Sequence, residues 1–365
     1  MNLDERGRSA GDELRRVFGG TERFGAAVEL ERLHAKRSRR ARRQRWRAGI
    51  VAAAISISVI VPLASALWDR SPAVPASPTL TGAILYGRWD PNAQQSQWFT
   101  ANADGTDVRA LGLKVTCARW WPDGSKILIT NDYANGPGHP LRPATVRPDG
   151  SGLQPLDATK DPSLNLGCGD VSPDGRLLVL EGFNEREPGH NGIYVVRSSD
   201  GGGLRQVVAS PHGGYDADPT FSPDGTRIAF FASKPGVNPP GAGALFTVNA
   251  DGSGLRRITP WGGAFMDQGW SPDGSWIAYQ RPYGVVTLVH PDGSDRHDVP
   301  VSLPPGSGAV NPTWSPGSDW IIFSLTSGGS ANIYRMRPDG TSLTQVTTEP
   351  GVDEQTPFWT TKTPR

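Results

Sequence analysis

Six residues share one repeated position in this chain, three residues ahead of an aromatic or valine anchor: Cys117, Cys168, Asp218, Asp267, Asn311 and Thr356. Asp218, Asp267 and Asn311, with Asp216 close by, are clustered oxygen donors of the kind that hold Ca²⁺ or a ligand amine. The alternative is structural: an Asp or Asn ahead of Pro at the start of a strand hydrogen-bonds the neighbouring loop backbone. Cys117 and Cys168, the two cysteines of the chain, admit either a disulfide in a non-cytoplasmic compartment or two buried free thiols. A bridge requires Cα atoms within about 7 Å, against the tendency of neighbouring inner strands to splay apart. Asx-Pro at this position looks like part of the repeat itself, and the histidines show no liganding spacing, so no metal, cofactor or catalytic residue is assigned.

The repeat that positions these residues is an aromatic followed by Ser-Pro-Asp-Gly and a short apolar strand. Phe221-Ser222-Pro223-Asp224-Gly225 leads into Ile228-Ala229-Phe230, and Trp270-Ser271-Pro272-Asp273-Gly274 into Ile277-Ala278-Tyr279. With Trp120, Val171, Trp314 and Trp359 as equivalents, the anchors are spaced by 51, 50, 49, 44 and 45 residues. A second motif, ending in Asp-Gly, falls between them at Gly105, Gly150, Gly201, Gly252, Gly293 and Gly340. Asp-Gly between alternating apolar runs marks a tight two-residue hairpin. Each repeat therefore reads as four strands, and a four-stranded unit at this period is the signature of a propeller blade. The first repeat lacks an aromatic strand while Thr356 to Thr361 is an orphan one, so joining them completes a six-bladed, all-β ring without open edges.

These motifs resemble those of the TolB-type six-bladed β-propeller over residues 81 to 361. The resemblance implies a protein-interaction platform outside the cytoplasm more often than an enzyme, although propellers host many functions. It leads to the expectation of a protein or peptide partner, with a carbohydrate-binding or metal-dependent sugar-lyase propeller as the alternative. Prolyl-oligopeptidase-type enzymes also carry propellers, but their hydrolase domain needs about two hundred further residues. A Gly-x-Ser-x-Gly string at Gly7 to Gly11 lacks the strand and helix that a nucleophile elbow requires.

Recognition belongs on long loops held by a rigid scaffold. The connections from second to third strand and from blade to blade are long, and they carry Tyr133, Tyr215, Trp261, Phe265 and Tyr283. These aromatics favour binding or, taken singly, pack the loops. The expected partner site comprises Tyr215, Asp216, Asp218, Trp261, Phe265, Asp267 and Asn311. His139, His190 and His212 fall in loops on the same face, where solvated histidines are the rule.

Residues 1–47 form a basic segment of net charge +7, Ala48 to Trp68 hold 21 residues without a charge, and a Pro-containing linker, 69–80, precedes the propeller, 81–365. The uncharged stretch is long enough to span a bilayer. Eight Lys or Arg residues between Lys36 and Arg47 hold the N-terminus in the cytoplasm by the positive-inside rule, which sends the propeller across. Ala64-Ser65-Ala66 also looks like a cleavage site, so a secreted form is the rival expectation. The basic run suits anionic lipid; with one aromatic, Trp46, and no recognised binding fold, no nucleic-acid role is assigned. Alkaline phosphatase fused after Arg365 should be active, and inserted before Lys36 inactive. The reverse pattern would overturn the orientation, and mature protein beginning at Leu67 would favour secretion.

Overall fold

The computed structural model of the protein describes residues 80–90, 95–131, 141–184, 187–210, 214–234, 236–237 and 241–361. The basic segment, the uncharged span and nearly all of the linker lie outside the described residues. Among the described residues no helix is long and apolar enough to cross a membrane.

Six four-stranded antiparallel sheets make up the described chain, one per repeat. The fold is an all-β, six-bladed propeller. Each Ser-Pro-Asp-Gly turn shows why the motif recurs. In blade 4, Pro223 presets the second position of a type I turn, closed by Gly225 N–H donating to Ser222 O at 2.8 Å. The Ser222 hydroxyl accepts from Arg227 N–H at 2.9 Å, and the Asp224 carboxylate accepts from Thr226 N–H at 3.0 Å. Gly225 then adopts φ 71°, where a β-carbon would be strained.

The Asp-Gly hairpins differ from the two-residue turn the sequence suggests. At Arg147 to Ser151, Gly150 N–H donates to Arg147 O and Arg147 N–H to Ser151 O, both at 2.8 Å, which leaves three residues in the loop. Only Gly150 has positive φ, at 81°. The hairpin is a type I turn followed by a left-handed residue; Pro148 suits its second position, and Asn102 to Thr106 and Asn249 to Ser253 make the same pair of bonds with Ala103 and Ala250 there.

Strand Glu354–Thr360 closes the ring against Ala83–Asp90, with Ile84 opposite Trp359. The same pairing sets Ile277 opposite Trp270 and Ile321 opposite Trp314, so the orphan strand occupies the innermost place of blade 1. Arg88 reaches across this seam to Glu354 at 3.0 Å and to Glu349 at 2.7 Å. Glu354 is fully buried and also accepts from the Thr347 hydroxyl.

Six apolar clusters fill the faces between successive blades. Between blades 3 and 4, Phe230 stacks on Phe246 with ring centroids 5.6 Å apart. Between blades 6 and 1, Ile322 and Ile333 pack against Ile84 and Tyr86, so closure is a core contact as well as a strand pairing.

Truncation after Thr348 should remove the closing strand, abolish cooperative unfolding in urea and yield aggregates; an unchanged transition would refute closure. Arg88→Met leaves the Glu354 carboxylate buried without its cation and should cost about 3 kcal/mol or more. Arg109→Met removes an exposed pair with Asp107 and should cost less than about 1 kcal/mol in the same denaturation series.

Candidate functional site at the channel mouth

The innermost strands of neighbouring blades approach closely at the channel. Cys117 and Cys168 are joined in a disulfide with Cα atoms 5.8 Å apart, linking blades 2 and 3. Glu181, from the second strand of blade 3, accepts from Cys168 N–H at 3.2 Å and from Asp218 N–H at 3.4 Å. The Asp218 carboxylate accepts from Asp267 N–H, and Asp267 accepts from the Asn311 amide. One run of links thus passes around the channel wall from blade 2 to blade 6. Blade 1 joins it through Phe358, whose ring lies under the Arg119 guanidinium at 3.6 Å.

Four of the six ring positions have left-handed backbone: Asp218, Asp267, Asn311 and Thr356, at φ 49°, 65°, 52° and 49°. In blades 4 and 6 the strand pairing slips at this point, between Ala217 and Thr220 and between Val310 and Thr313. Asp and Asn are the non-glycine residues that tolerate this conformation best. Backbone geometry therefore accounts for much of the Asx preference at the ring. Thr356, being β-branched, is the strained member.

A cavity of about 560 Å³ opens at this ring. Its walls are mainly apolar, with Trp98, Leu128, Ile129 and Phe183, and its acidic side carries Glu181, Asp216, Asp218 and Asp267. Burial raises every one of these carboxyls. Glu181 is pushed up to about 8 by burial and by the neighbouring Asp218 charge. Asp267 rises to about 7 by burial and Asp218, with Arg119 and the Asn311 hydrogen bond pulling the other way. Asp216 rises to about 7 by burial, eased by the Ser210 hydroxyl beside it. Asp218 is raised by burial, with Arg119 opposing. Desolvation and like charge together therefore favour the protonated form of these acids.

Of the residues expected at the partner site, Tyr215, Asp216, Asp218 and Asp267 line this one cavity. Asn311 faces a narrow crevice beside it, with Arg119 and Phe358. Trp261 lies apart, packed on Phe246 at 5.7 Å with the Lys234 ammonium 4.4 Å from its ring, and this contact covers the apolar face between blades 3 and 4. Phe265 is half-buried, its ring near Gly241, and does not line the cavity. Among the lining residues outside the sequence reading, besides the apolar wall and Arg119, are Met266 and Glu181. Met266 accepts a long contact from the Tyr215 hydroxyl at 3.8 Å. Glu181 follows the apolar run Leu177 to Leu180, where a charged residue at a strand's buried end was a signal available in the sequence.

Tyr133, His139 and His212 lie outside the described residues; His190 is exposed beside Glu187 at 3.2 Å. Among the described residues no group of three or more His, Cys, Asp or Glu could hold a metal ion.

Residues 160–363 match the family model described as PD40, TolB beta propeller domain. A tricorn protease homolog of Streptomyces coelicolor is 28% identical over 199 residues, covering 52% of this chain and 17% of that protein. A TolB homolog of Chlorobaculum tepidum is 31% identical over 126 residues, 34% of this chain and 27% of the relative. The crystal structure of TolB from Acinetobacter baumannii superposes with a TM-score of 0.60 at 20% identity, covering 77% of this chain and 67% of that one. This chain spans well under two thirds of the length of these sequence relatives.

Carboxyls raised in the folded state contribute stability that is present below about pH 4, the ordinary carboxyl range, and is lost as pH rises towards about 8. The melting temperature should therefore fall across that window, and Asp267→Asn, which the left-handed backbone tolerates, should flatten the fall. A wild-type melting temperature independent of pH from 5 to 8 would show that these groups are not desolvated. Replacing both cysteines by serine opens a link separated by 51 residues and should cost about 4 kcal/mol in urea denaturation by the chain-entropy relation.

Proposed function

The chain belongs to the TolB β-propeller family, and we propose that it is a non-catalytic scaffold that captures a protein or peptide partner at the cavity-bearing loop face. The observation that supports this best is the cavity itself. It joins an apolar wall to an acidic side, and Tyr215 stands 42% exposed at its rim. An aromatic anchor beside a desolvated polar cluster is the usual composition of a binding hot spot. The opposite face carries turns of a few residues closed on themselves by hydrogen bonds, which leaves little to adapt to a partner. In the same reading the uncharged span 48–68 anchors the chain in the cytoplasmic membrane, with the basic segment inside and the propeller outside on its proline-stiffened linker.

Cross-linking in intact cells followed by purification is the way to recover the partner. Tyr215→Ala should then weaken its capture by about tenfold or more, as truncation of a central aromatic does, with little change in melting temperature. Ser253→Lys, in an opposite-face turn, should leave capture intact. Loss of capture with Ser253→Lys and none with Tyr215→Ala would place the working face on the other side.

A further inference from the structure

Three carboxylates from three consecutive blades converge on the cavity: Glu181 of blade 3, Asp218 of blade 4 and Asp267 ahead of the innermost strand of blade 5. Arg119 is the cation that eases Asp218 and Asp267 together with Asp170, one guanidinium against three acids. A fourth cavity residue, Asp216, is 4% exposed, and both its carboxylate oxygens are buried with the Ser210 hydroxyl near them but outside hydrogen-bond geometry. Any of these acids that ionises therefore finds too little positive charge on the protein to balance it. A buried acid with no partner is costly unless something positive completes it.

Arg119 does not fill that need. Its guanidinium stacks 3.6 Å over the Phe358 ring and its Nε donates to Gly169 O at 3.3 Å, which commits the planar group to the channel floor. What stays open is a space with apolar walls at Leu128, Ile129 and Phe183 and acids approaching from separate blades. An ammonium on a flexible aliphatic stem fits such a space. Its three donors are not confined to one plane, whereas a guanidinium is made for a planar fork, and its methylenes bury along the apolar wall.

From this arrangement we infer that the cavity is a recognition pocket for a lysine side chain presented by an extended segment of the partner. This rests on the scaffold reading above and specifies the chemistry that the scaffold reads.

The test uses the whole protein and two blocked tripeptides, acetyl-Ala-Lys-Ala amide and its norleucine counterpart, which has a similar stem without the ammonium. Calorimetry at pH 8 should show the lysine peptide binding about tenfold or more tighter than the norleucine peptide. Asp218→Asn and Asp267→Asn keep residues that accept left-handed backbone, so folding should survive. Combined, they should weaken the lysine peptide by about tenfold to a hundredfold and leave the norleucine peptide unchanged. Release of protons on binding, seen as a dependence of the heat on buffer, would support replacement of shared protons by the ammonium. Equal affinity for the two peptides, or lysine binding untouched by the double variant, overturns the pocket. If the lysine peptide does not bind while Tyr215→Ala still abolishes partner capture, the pocket falls and the scaffold stands. If the lysine peptide binds as described while partner capture ignores Tyr215→Ala, the scaffold reading falls instead.

Discussion

Closure of the ring is the interaction on which the rest of this propeller depends. Each blade buries its faces only against its two neighbours, so an open ring would leave two apolar faces and two strand edges in water at once. Strand Glu354–Thr360 meets that need by covering the first blade, and Arg88 pins its start by pairing with Glu354 in the interior. A buried ion pair is a poor source of net stability, but it strongly disfavours any register in which one charge is stranded. Here it specifies which residues meet at the seam, while Ile84, Tyr86, Ile322 and Ile333 supply the burial.

Closure has a chemical consequence at the centre. Six innermost strands brought around one axis place equivalent positions of neighbouring blades side by side, so a residue type repeated along the sequence becomes a cluster in space. Cys117 and Cys168 meet in this way, as do Asp218 and Asp267. Burial, and after it like charges forced together, disfavour the ionised form, and the raised carboxyls of Glu181 and Asp267 record that cost. The stability invested in the six apolar interfaces is what allows the channel to hold such a cluster.

The fold was legible because its signals are local. Pro, Asp and Gly in each turn have separate backbone duties, and their recurrence counts the blades. The hairpin detail was less legible, since Asp-Gly occurs in both two- and three-residue loops and the same three-residue loop forms with Pro148 or with Ala103 and Ala250 at its second position. At the site, the ring positions followed from the repeat, yet their residue types carried an ambiguous message. Asp and Asn at φ near 50° answer to backbone first, so their presence alone said little about a ligand. Trp261 carries a related ambiguity. A tryptophan in a long loop reads as a binding residue, but Phe246 offered it an apolar face nearer home. Glu181 belongs to no repeated motif, and only the packing of blade 3 against blade 4 brings it to the cavity.

Arg119 and Phe358 give the channel a direction. They come from neighbouring blades 2 and 1, stack on each other, and border both the cavity at the ring and a second space of about 370 Å³ towards the Ser-Pro-Asp-Gly turns. The second space is rimmed by Pro122, Pro173, Pro223, Pro272 and Pro316, residues already committed to holding the turns. The two ends of the channel therefore differ in kind. At one end the repeat is obeyed and the surface is spent on structure; at the other, the repeat varies from blade to blade, with cysteine, aspartate, asparagine and threonine succeeding one another at a single position. A ring of identical blades would recognise nothing in particular, and it is the departure from symmetry at this one level, guarded from the far side by a stacked guanidinium, that gives the cavity a chemistry of its own.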